Sequence, residues 1–162
     1  MDGLIEKISR VNRPKLGEDV PVVIFRAFRL FTEFHLEDVV GEKGSITLLQ
    51  RAGRELGKVI GKNLNHKELD TYIEKIADFV YDQKIGILIP VHVEEHSMVF
   101  RLDECITCSG MENIGKRICY FEAGFLGGVI ENFFGKRVKV YETKCNAMGE
   151  GTCEVTVELG NA

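Results

Sequence analysis

The sequence predicts an α+β fold in which a helical half is followed by an antiparallel sheet. Its 162 residues are enough for one domain with its own core. Apolar residues recur at helical spacing in three stretches of the first half, whereas the second half carries two hairpins of β-type pattern with a helix between them. This order differs from the regular strand–helix alternation of a doubly wound sheet.

The composition argues against several classes of protein. Twenty-one basic residues against 25 acidic ones give a net charge of −4, which does not fit a nucleic-acid binder. No apolar run approaches the roughly 20 residues of a membrane helix, and the N-terminus lacks the features of a signal peptide. We therefore expect a cytoplasmic protein without a membrane partner, whose five cysteines indicate metal or redox chemistry before disulfides.

The first helix is the most apolar element of the N-terminal half. Residues 1–19 are expected to be an extension with at most a short strand, and residues 20–162 to be one domain. Pro21 suits the first position of a helix that Gly41 and Gly44 would end. Because this helix is apolar on most of its circumference, we expect it to be central to the fold or buried against a partner.

The second helix carries a stripe of small residues. It is predicted over residues 45–62, and Gly53, Gly57 and Gly61 fall on one of its faces. Since each glycine costs a helix roughly 1 kcal/mol relative to alanine, close approach of another backbone is the expected compensation. A third helix is predicted over residues 65–84.

The second half begins with a hairpin of strands at residues 85–93 and 98–102. Pro90 lies within the first of these strands, which favours an edge position or a bulge. The remaining predicted elements are a loop at 103–115, a helix at 116–134 and a second hairpin with strands at 137–143 and 152–159.

Three cysteines and one glutamate are predicted to meet at the turn end of the second hairpin. Because side chains alternate along a strand, Glu142 lies on the inward, apolar face of the first strand. Cys153 begins the inward row of the second strand, and Cys145 lies where the first strand enters the turn. Cys119 is expected in the first turn of the preceding helix, on the stripe that faces the sheet.

This set of residues indicates a metal site. A buried carboxylate must be paired, protonated or bound to a metal, because its burial alone costs too much free energy. Three thiols and a carboxylate fit zinc, and four protein ligands are typical of a structural site. The alternative is that the cysteines are inert core residues, as buried thiols often are, and that Glu142 is a partly exposed acid at a strand end.

Two further groups of residues have more than one interpretation. Cys105 and Cys108 form a Cys-x-x-Cys motif that could be a redox pair, a disulfide or half of a rival zinc site. Their place in a loop after a hairpin is unlike that of a thioredoxin-type motif. A ligand pocket between the helices and the sheet could be lined by five aromatic residues, each of which could equally be plain core. They are Phe79, Phe100, Phe121, Phe125 and Tyr141.

The last third of the chain carries a distinctive pattern. Cys119 begins the segment Cys-Tyr-Phe-Glu-Ala-Gly, and the final hairpin reads Val-x-Val-x-Glu-x-x-Cys through Cys145, with Cys153 eight residues further on. In these motifs the chain resembles the 4-vinyl reductase domain family, in a stand-alone form of archaeal type. The resemblance is close over residues 100–160 and looser over residues 28–61.

The resemblance implies an α+β ligand-binding fold shared with haem–nitric oxide sensors and with a vesicle-tethering subunit family. It implies a small aromatic or apolar ligand and a homodimer, with any signal passed to a separate output protein. It also implies a zinc ion, with ligands at Cys119, Glu142, Cys145 and Cys153. The sequence lacks the glycine-rich loop that would bind a dinucleotide, so the reduction after which the family is named finds no support.

Three functions are therefore considered. The first is a zinc-containing, non-catalytic domain that binds or senses a small apolar or aromatic molecule. The second is an enzyme or accessory factor, in tetrapyrrole vinyl reduction or in thiol redox chemistry at Cys105 and Cys108. The third is a protein-interaction scaffold.

Overall fold

Five helices and four strands build the chain, and the predicted α+β class is confirmed. This computed structural model describes residues 3–160. Residues 1, 2, 161 and 162, which the predicted extension and domain include, lie outside the described residues. The elements are α1 (Leu4–Ile8), α2 (Val22–Val40), α3 (Glu42–Asn63), α4 (Leu69–Asp82), β1 (Ile87–Val93), β2 (Ser97–Asp103), α5 (Tyr120–Phe134), β3 (Val138–Lys144), a 3₁₀ turn (Asn146–Met148) and β4 (Cys153–Leu159).

The two hairpins join into one antiparallel sheet of order β1-β2-β4-β3. Their second strands, β2 and β4, are the inner strands, and Leu102 pairs with Cys153 where β2 meets β4. Pro90 lies on the edge strand β1 next to a bulge between Pro90 and His92, which confirms the expectation for that residue. The register also shifts between Glu142 and Lys144 on the other edge strand, β3.

One face of the sheet forms the core. Alternate residues of β2, β3 and β4 are buried, as the period of two along a strand requires. Their side chains pack against α5, which contacts both β3 and β4. The buried residues of the two inner strands are Met98, Phe100, Leu102, Cys153, Val155, Val157 and Leu159.

Helix α5 is the central helix of the fold, because it is buried without interruption from Glu122 to Glu131. It lies between the sheet and α3, and glycines make the close α3–α5 approach possible. A Cβ atom on any of these glycines would overlap a backbone carbonyl oxygen of the facing helix, which confirms the predicted backbone contact. The residues are Gly53 and Gly57 of α3 and Gly124 and Gly128 of α5.

Helix α2 lies at the surface, so the prediction of a central position was wrong. Its polar residues face the body of the protein and its large apolar residues face solvent, with Phe28 80% and Phe31 67% exposed. This is the reverse of the usual amphipathic helix. The inward polar residues are Arg26, Arg29, Glu33 and Glu37.

Several predicted boundaries also require correction. The extension contains the short helix α1 rather than a strand. Gly41 ends α2, whereas Gly44 lies in the first turn of α3 and interrupts nothing. Helix α5 begins at Tyr120, so Cys119 is its N-cap residue and not part of its first turn. The loop before α5 is therefore longer than the periodic pattern indicated. Among the described residues, no helix combines the length and apolar character needed to cross a membrane.

Candidate metal centre and ligand cavity

All five cysteines of the chain meet at one buried point. Cys105 and Cys108 come from the loop after β2, and Cys119 caps α5. Cys145 directly follows β3, and Cys153 begins β4. The metal hypothesis placed three of these thiols together, and the structure adds the Cys-x-x-Cys pair to them.

The thiol sulfurs lie at contact distance from one another. Cys108 Sγ is 3.0 Å from Cys153 Sγ and 3.4 Å from Cys119 Sγ. Cys119 Sγ is also 3.7 Å from Cys105 Sγ and 3.9 Å from Cys145 Sγ. A zinc–sulfur bond of about 2.3 Å in tetrahedral geometry places two sulfur ligands about 3.8 Å apart. The spacing of these thiols is therefore close to that of ligands around one small cation.

Glu142 supplies a carboxylate at the edge of the thiols. It is 7% exposed, on the inward face of β3, and the sulfurs of Cys119 and Cys145 lie close enough to share an ion with it. The backbone N–H of Cys119 donates to both carboxylate oxygens at 3.1 Å. Burial and then the negative charge of Cys145 raise the pKa of Glu142 to about 10. A cation beside this carboxylate would supply the charge compensation that burial demands.

The thiols also share protons among themselves. Hydrogen bonding with Cys108 lowers the pKa of Cys105 and of Cys145, whereas the same contact with Cys105 raises the pKa of Cys108. Thiolate and thiol therefore coexist in the cluster, and thiolate is the form that binds a metal. Five sulfurs and one carboxylate oxygen make a donor set suited to a thiophilic divalent ion such as zinc.

An apolar cavity of about 320 Å³ lies beside this cluster, between the helices and the sheet. Two of the five predicted aromatic residues, Phe121 and Phe125, line it. Phe79 stacks on Phe125 at 6.3 Å between ring centroids, behind the lining. Phe100 is a core residue of β2, and Tyr141 is 45% exposed on β3.

One end of the cavity is polar. Arg29 of α2 and Glu122 of α5 both line it, and their side chains pair at 3.1 Å. The Thr107 hydroxyl donates to Glu122 at 2.6 Å, and the Arg29 guanidinium lies 5.4 Å from the centre of the Phe121 ring. Burial raises the pKa of Glu122, although the Arg29 charge opposes this rise. A ligand in the cavity would therefore meet one donor–acceptor pair and otherwise apolar atoms.

The cavity and the thiol cluster share a wall. Ile106 lines the cavity, while its neighbour Cys105 and nearby Cys108 belong to the cluster. Thr107, between them, contacts Glu122 at the polar end. The Arg26 guanidinium fixes this loop by donating to the carbonyl oxygens of Ile106 and Ser109, each at 2.7 Å.

Sequence reasoning missed the polar residues of the cavity. Glu122 lies in the otherwise apolar start of α5, which was an available signal. Arg29 was hidden because the expected central position of α2 gave its charged residues no role. Ile106 lies in a loop without periodicity, so the pattern carried no information about its direction.

Sequence comparison identifies relatives along most of the chain. Residues 98–159 match the model of the 4-vinyl reductase domain. The uncharacterized protein MJ1642 of Methanocaldococcus jannaschii is 34% identical over 145 residues, which cover 90% of this chain and 81% of the relative. MJ0150 of the same organism is 32% identical, with 89% and 79% coverage.

Solved structures share the fold. The phenol-responsive sensory domain of the transcription activator PoxR, solved with phenol, superposes with a TM-score of 0.69 at 16% identity, covering 97% of this chain and 88% of that one. A trafficking protein particle complex subunit 3 from Naegleria fowleri, covalently bound to palmitic acid, gives 0.60 at 16% identity, with 86% and 97% coverage. A vinyl-4-reductase family protein from M. jannaschii gives 0.60 at 24% identity, with 90% and 86% coverage.

Proposed function

The chain belongs to the 4-vinyl reductase domain family, and on that basis we propose that it is a metal-stabilised domain that binds a small apolar or aromatic molecule without transforming it. The observation that carries the proposal is the apolar cavity with the Arg29–Glu122 pair at one end. Apolar walls with a few convergent polar groups are typical of small-molecule sites. Any signal would pass to a separate output protein.

The cavity favours a ligand with one polar group on an apolar body. Arg29 offers N–H donors and Glu122 offers a carboxylate acceptor, so a hydroxyl could use both. Phe121 and Phe125 offer ring faces to an aromatic body. The phenol of the PoxR domain is a ligand of this type, and the palmitic acid of the trafficking subunit is an apolar alternative.

The proposed metal is zinc, in a structural role. The ligand set proposed from the sequence is Cys119, Glu142, Cys145 and Cys153. In support, these residues come from the start of α5, the end of β3 and the start of β4, and all are buried. Zinc bound there would tie the last hairpin to the central helix, and structural zinc binding contributes directly to folding free energy.

The burial of Cys105 and Cys108 does not favour thiol chemistry on a substrate. Both residues are fully buried, whereas a dithiol that exchanges with a partner needs an accessible sulfur. A binding role therefore fits these thiols better than the enzymatic alternative does.

We propose that the chain forms a homodimer through α2. Ile24, Phe28 and Phe31 recur at spacings of four and three residues, which places them in one outward stripe. A second copy of the chain, related by a two-fold axis, would cover this stripe with its own. The inward polar residues of α2 are held by the body of the protein, so this helix cannot simply turn its apolar side inward.

A thermal-shift titration of the full chain with phenol and with decanoic acid tests the binding proposal. At least one probe should raise the melting temperature, because a ligand that binds the native state stabilises it. Leu56→Trp, which fills the cavity from α3, should abolish the shift, whereas Leu48→Trp, at an exposed position on the same helix, should keep it. Absence of any shift in the wild type, or an equal shift in Leu56→Trp, would contradict the proposed site.

A further inference from the structure

The cysteine cluster contains more ligands than one zinc ion uses. We propose that Cys105 and Cys108 complete a second metal position, so that the cluster holds two thiophilic divalent ions that share bridging thiolates. This inference rests on the proposed metal centre and extends it from one ion to two. It gives the Cys-x-x-Cys pair a role as metal ligands rather than as a redox couple.

Two overlapping groups of donors are present. Four sulfurs lie within 4.8 Å of one another, and a second group of three donor atoms meets the same distance criterion. Cys119 is a member of both groups, and its sulfur is 4.0 Å from that of Cys153. The first group is Cys105, Cys108, Cys119 and Cys153, and the second is Cys119, Glu142 and Cys145.

The number of donors matches two ions. Zinc takes four ligands in a structural site, so two ions need eight ligand positions. If two thiolates bridge, six donor residues fill those positions, and the cluster has five thiols and one carboxylate. Cys119 and Cys153 are the bridging pair that this arrangement requires, with Cys105 and Cys108 terminal on one ion and Glu142 and Cys145 terminal on the other.

The distances support the first position directly. Cys105 and Cys119 are 3.7 Å apart and Cys108 and Cys119 are 3.4 Å apart, close to the edge of about 3.8 Å in a tetrahedral zinc–sulfur site. The Cys105–Cys108 loop is also fixed in place. The N–H groups of Cys108 and Ser109 both donate to the Cys105 carbonyl, and Arg26 holds the outer side of the loop.

Charge favours the second ion. Fully ionised, five thiolates and a carboxylate carry six negative charges, of which one divalent ion cancels two and a pair cancels four. Buried charge without compensation is costly, so the donors left free by a single ion would have to stay protonated. The basic residues nearest in sequence pair elsewhere: Lys116 with Glu37, Arg117 with Glu150 and Lys144 with Glu154.

Metal stoichiometry tests the inference. The full chain is loaded with zinc or with cadmium, freed of excess metal, and measured by native mass spectrometry and elemental analysis. The expected result is two ions per chain in the wild type, and one in the Cys105→Ser/Cys108→Ser variant. Ser109→Ala, in the same loop but without a metal-binding group, should retain both. Cadmium-113 NMR should show two resonances in the wild type, with the all-sulfur one lost in the double variant.

The outcomes separate the two proposals. Saturation of the wild type at one ion, whatever the double variant then binds, would overturn the second position and leave the single structural zinc in place. A wild-type chain that binds no zinc or cadmium would overturn both. Because the wild-type stoichiometry decides the matter alone, a double variant that fails to fold does not affect the test.

Discussion

The Arg29 guanidinium on the surface helix α2 pairs with the Glu122 carboxylate on the central helix α5, with an Nη2–Oε2 distance of 3.1 Å. Both side chains are largely buried, and the same guanidinium donates to the carbonyl oxygen of Ile118, next to Cys119. The pair therefore holds α2 to the body of the protein, forms the polar end of the cavity and lies beside the thiol cluster.

Arg29→Met should destabilise the protein by about 3–5 kcal/mol, because it leaves the Glu122 carboxylate buried without its cation. Arg29→Met/Glu122→Gln should recover part of this loss, since the unpaired charge is gone. Urea denaturation of the wild type, the two single variants and the double variant measures the coupling. Additive effects of the two substitutions would show that the pair contributes no interaction of its own.

Glu33 should make stability depend on pH. It is 1% exposed, its carboxylate oxygens accept no hydrogen bond from the described residues, and burial raises its pKa to about 7, against the pull of Arg29. The folded state thus holds this proton more tightly than the unfolded state, so its contribution is full below about pH 4.5 and is lost as pH rises to about 7.

Glu33→Gln should therefore gain stability relative to the wild type between about pH 5 and pH 8, by up to about 3 kcal/mol. Melting temperatures of both proteins at unit steps of pH measure the difference. Glu37→Gln, one helical turn further along α2, is the matched control and should show a smaller change. A constant gap between the wild type and Glu33→Gln across this range would be the contrary result.

Gly57→Ala should cost about 1–3 kcal/mol, because the added methyl group overlaps the Phe125 carbonyl and must push α3 away from α5. Gly44→Ala on the same helix is the comparison, since its Cβ meets only the side chain of Val40. Chemical denaturation of both variants gives the two free energies. Equal stability of Gly57→Ala and Gly44→Ala would show that the helices can separate without cost.

Phe28→Lys/Phe31→Lys should convert the proposed dimer to a monomer, because it places charge in the outward stripe of α2. Light scattering after size-exclusion chromatography measures the mass of each species. Val11→Lys/Leu16→Lys, which changes two exposed apolar residues outside α2, is the control and should stay dimeric. A wild-type mass of one chain at micromolar concentration would remove the dimer proposal.

Cys145→Ser should lower the melting temperature by more than about 10 °C, because structural zinc binding supplies many kcal/mol of folding free energy and each kcal/mol is worth roughly 2–4 °C at this size. Thr156→Ser, a hydroxyl-conserving change on β4, should have little effect. Differential scanning calorimetry of the zinc-loaded proteins provides the comparison. An unchanged melting temperature for Cys145→Ser would mean that this sulfur holds no structural ion.

The sequence pattern was most informative where a strand or helix period applied. Alternation along β3 and β4 is enough to turn Glu142 and Cys153 inward, because one face of the sheet is buried. Gly53 and Gly57 indicated a close backbone contact because a helix tolerates two such residues on one face only with compensation.

Other features depended on long-range contacts that carry no local period. Cys105 and Cys108 reach the cluster through a loop that Arg26 fixes from a helix some 80 residues earlier in the chain. The orientation of α2 is set by ion pairs with α5 and with the loop before it, which outweigh the burial of Phe28 and Phe31 within one chain. A hydrophobicity pattern alone favours the opposite orientation.

The most direct test of the metal centre is a melting curve of the purified full chain before and after removal of bound metal with a strong chelator, with zinc content measured on the same samples. The proposed clamp between the last hairpin and α5 predicts at least one zinc per chain and a large fall in melting temperature on chelation, reversed when zinc is restored. A chain that contains no zinc, cannot take it up, and melts at the same temperature with and without chelator would contradict it.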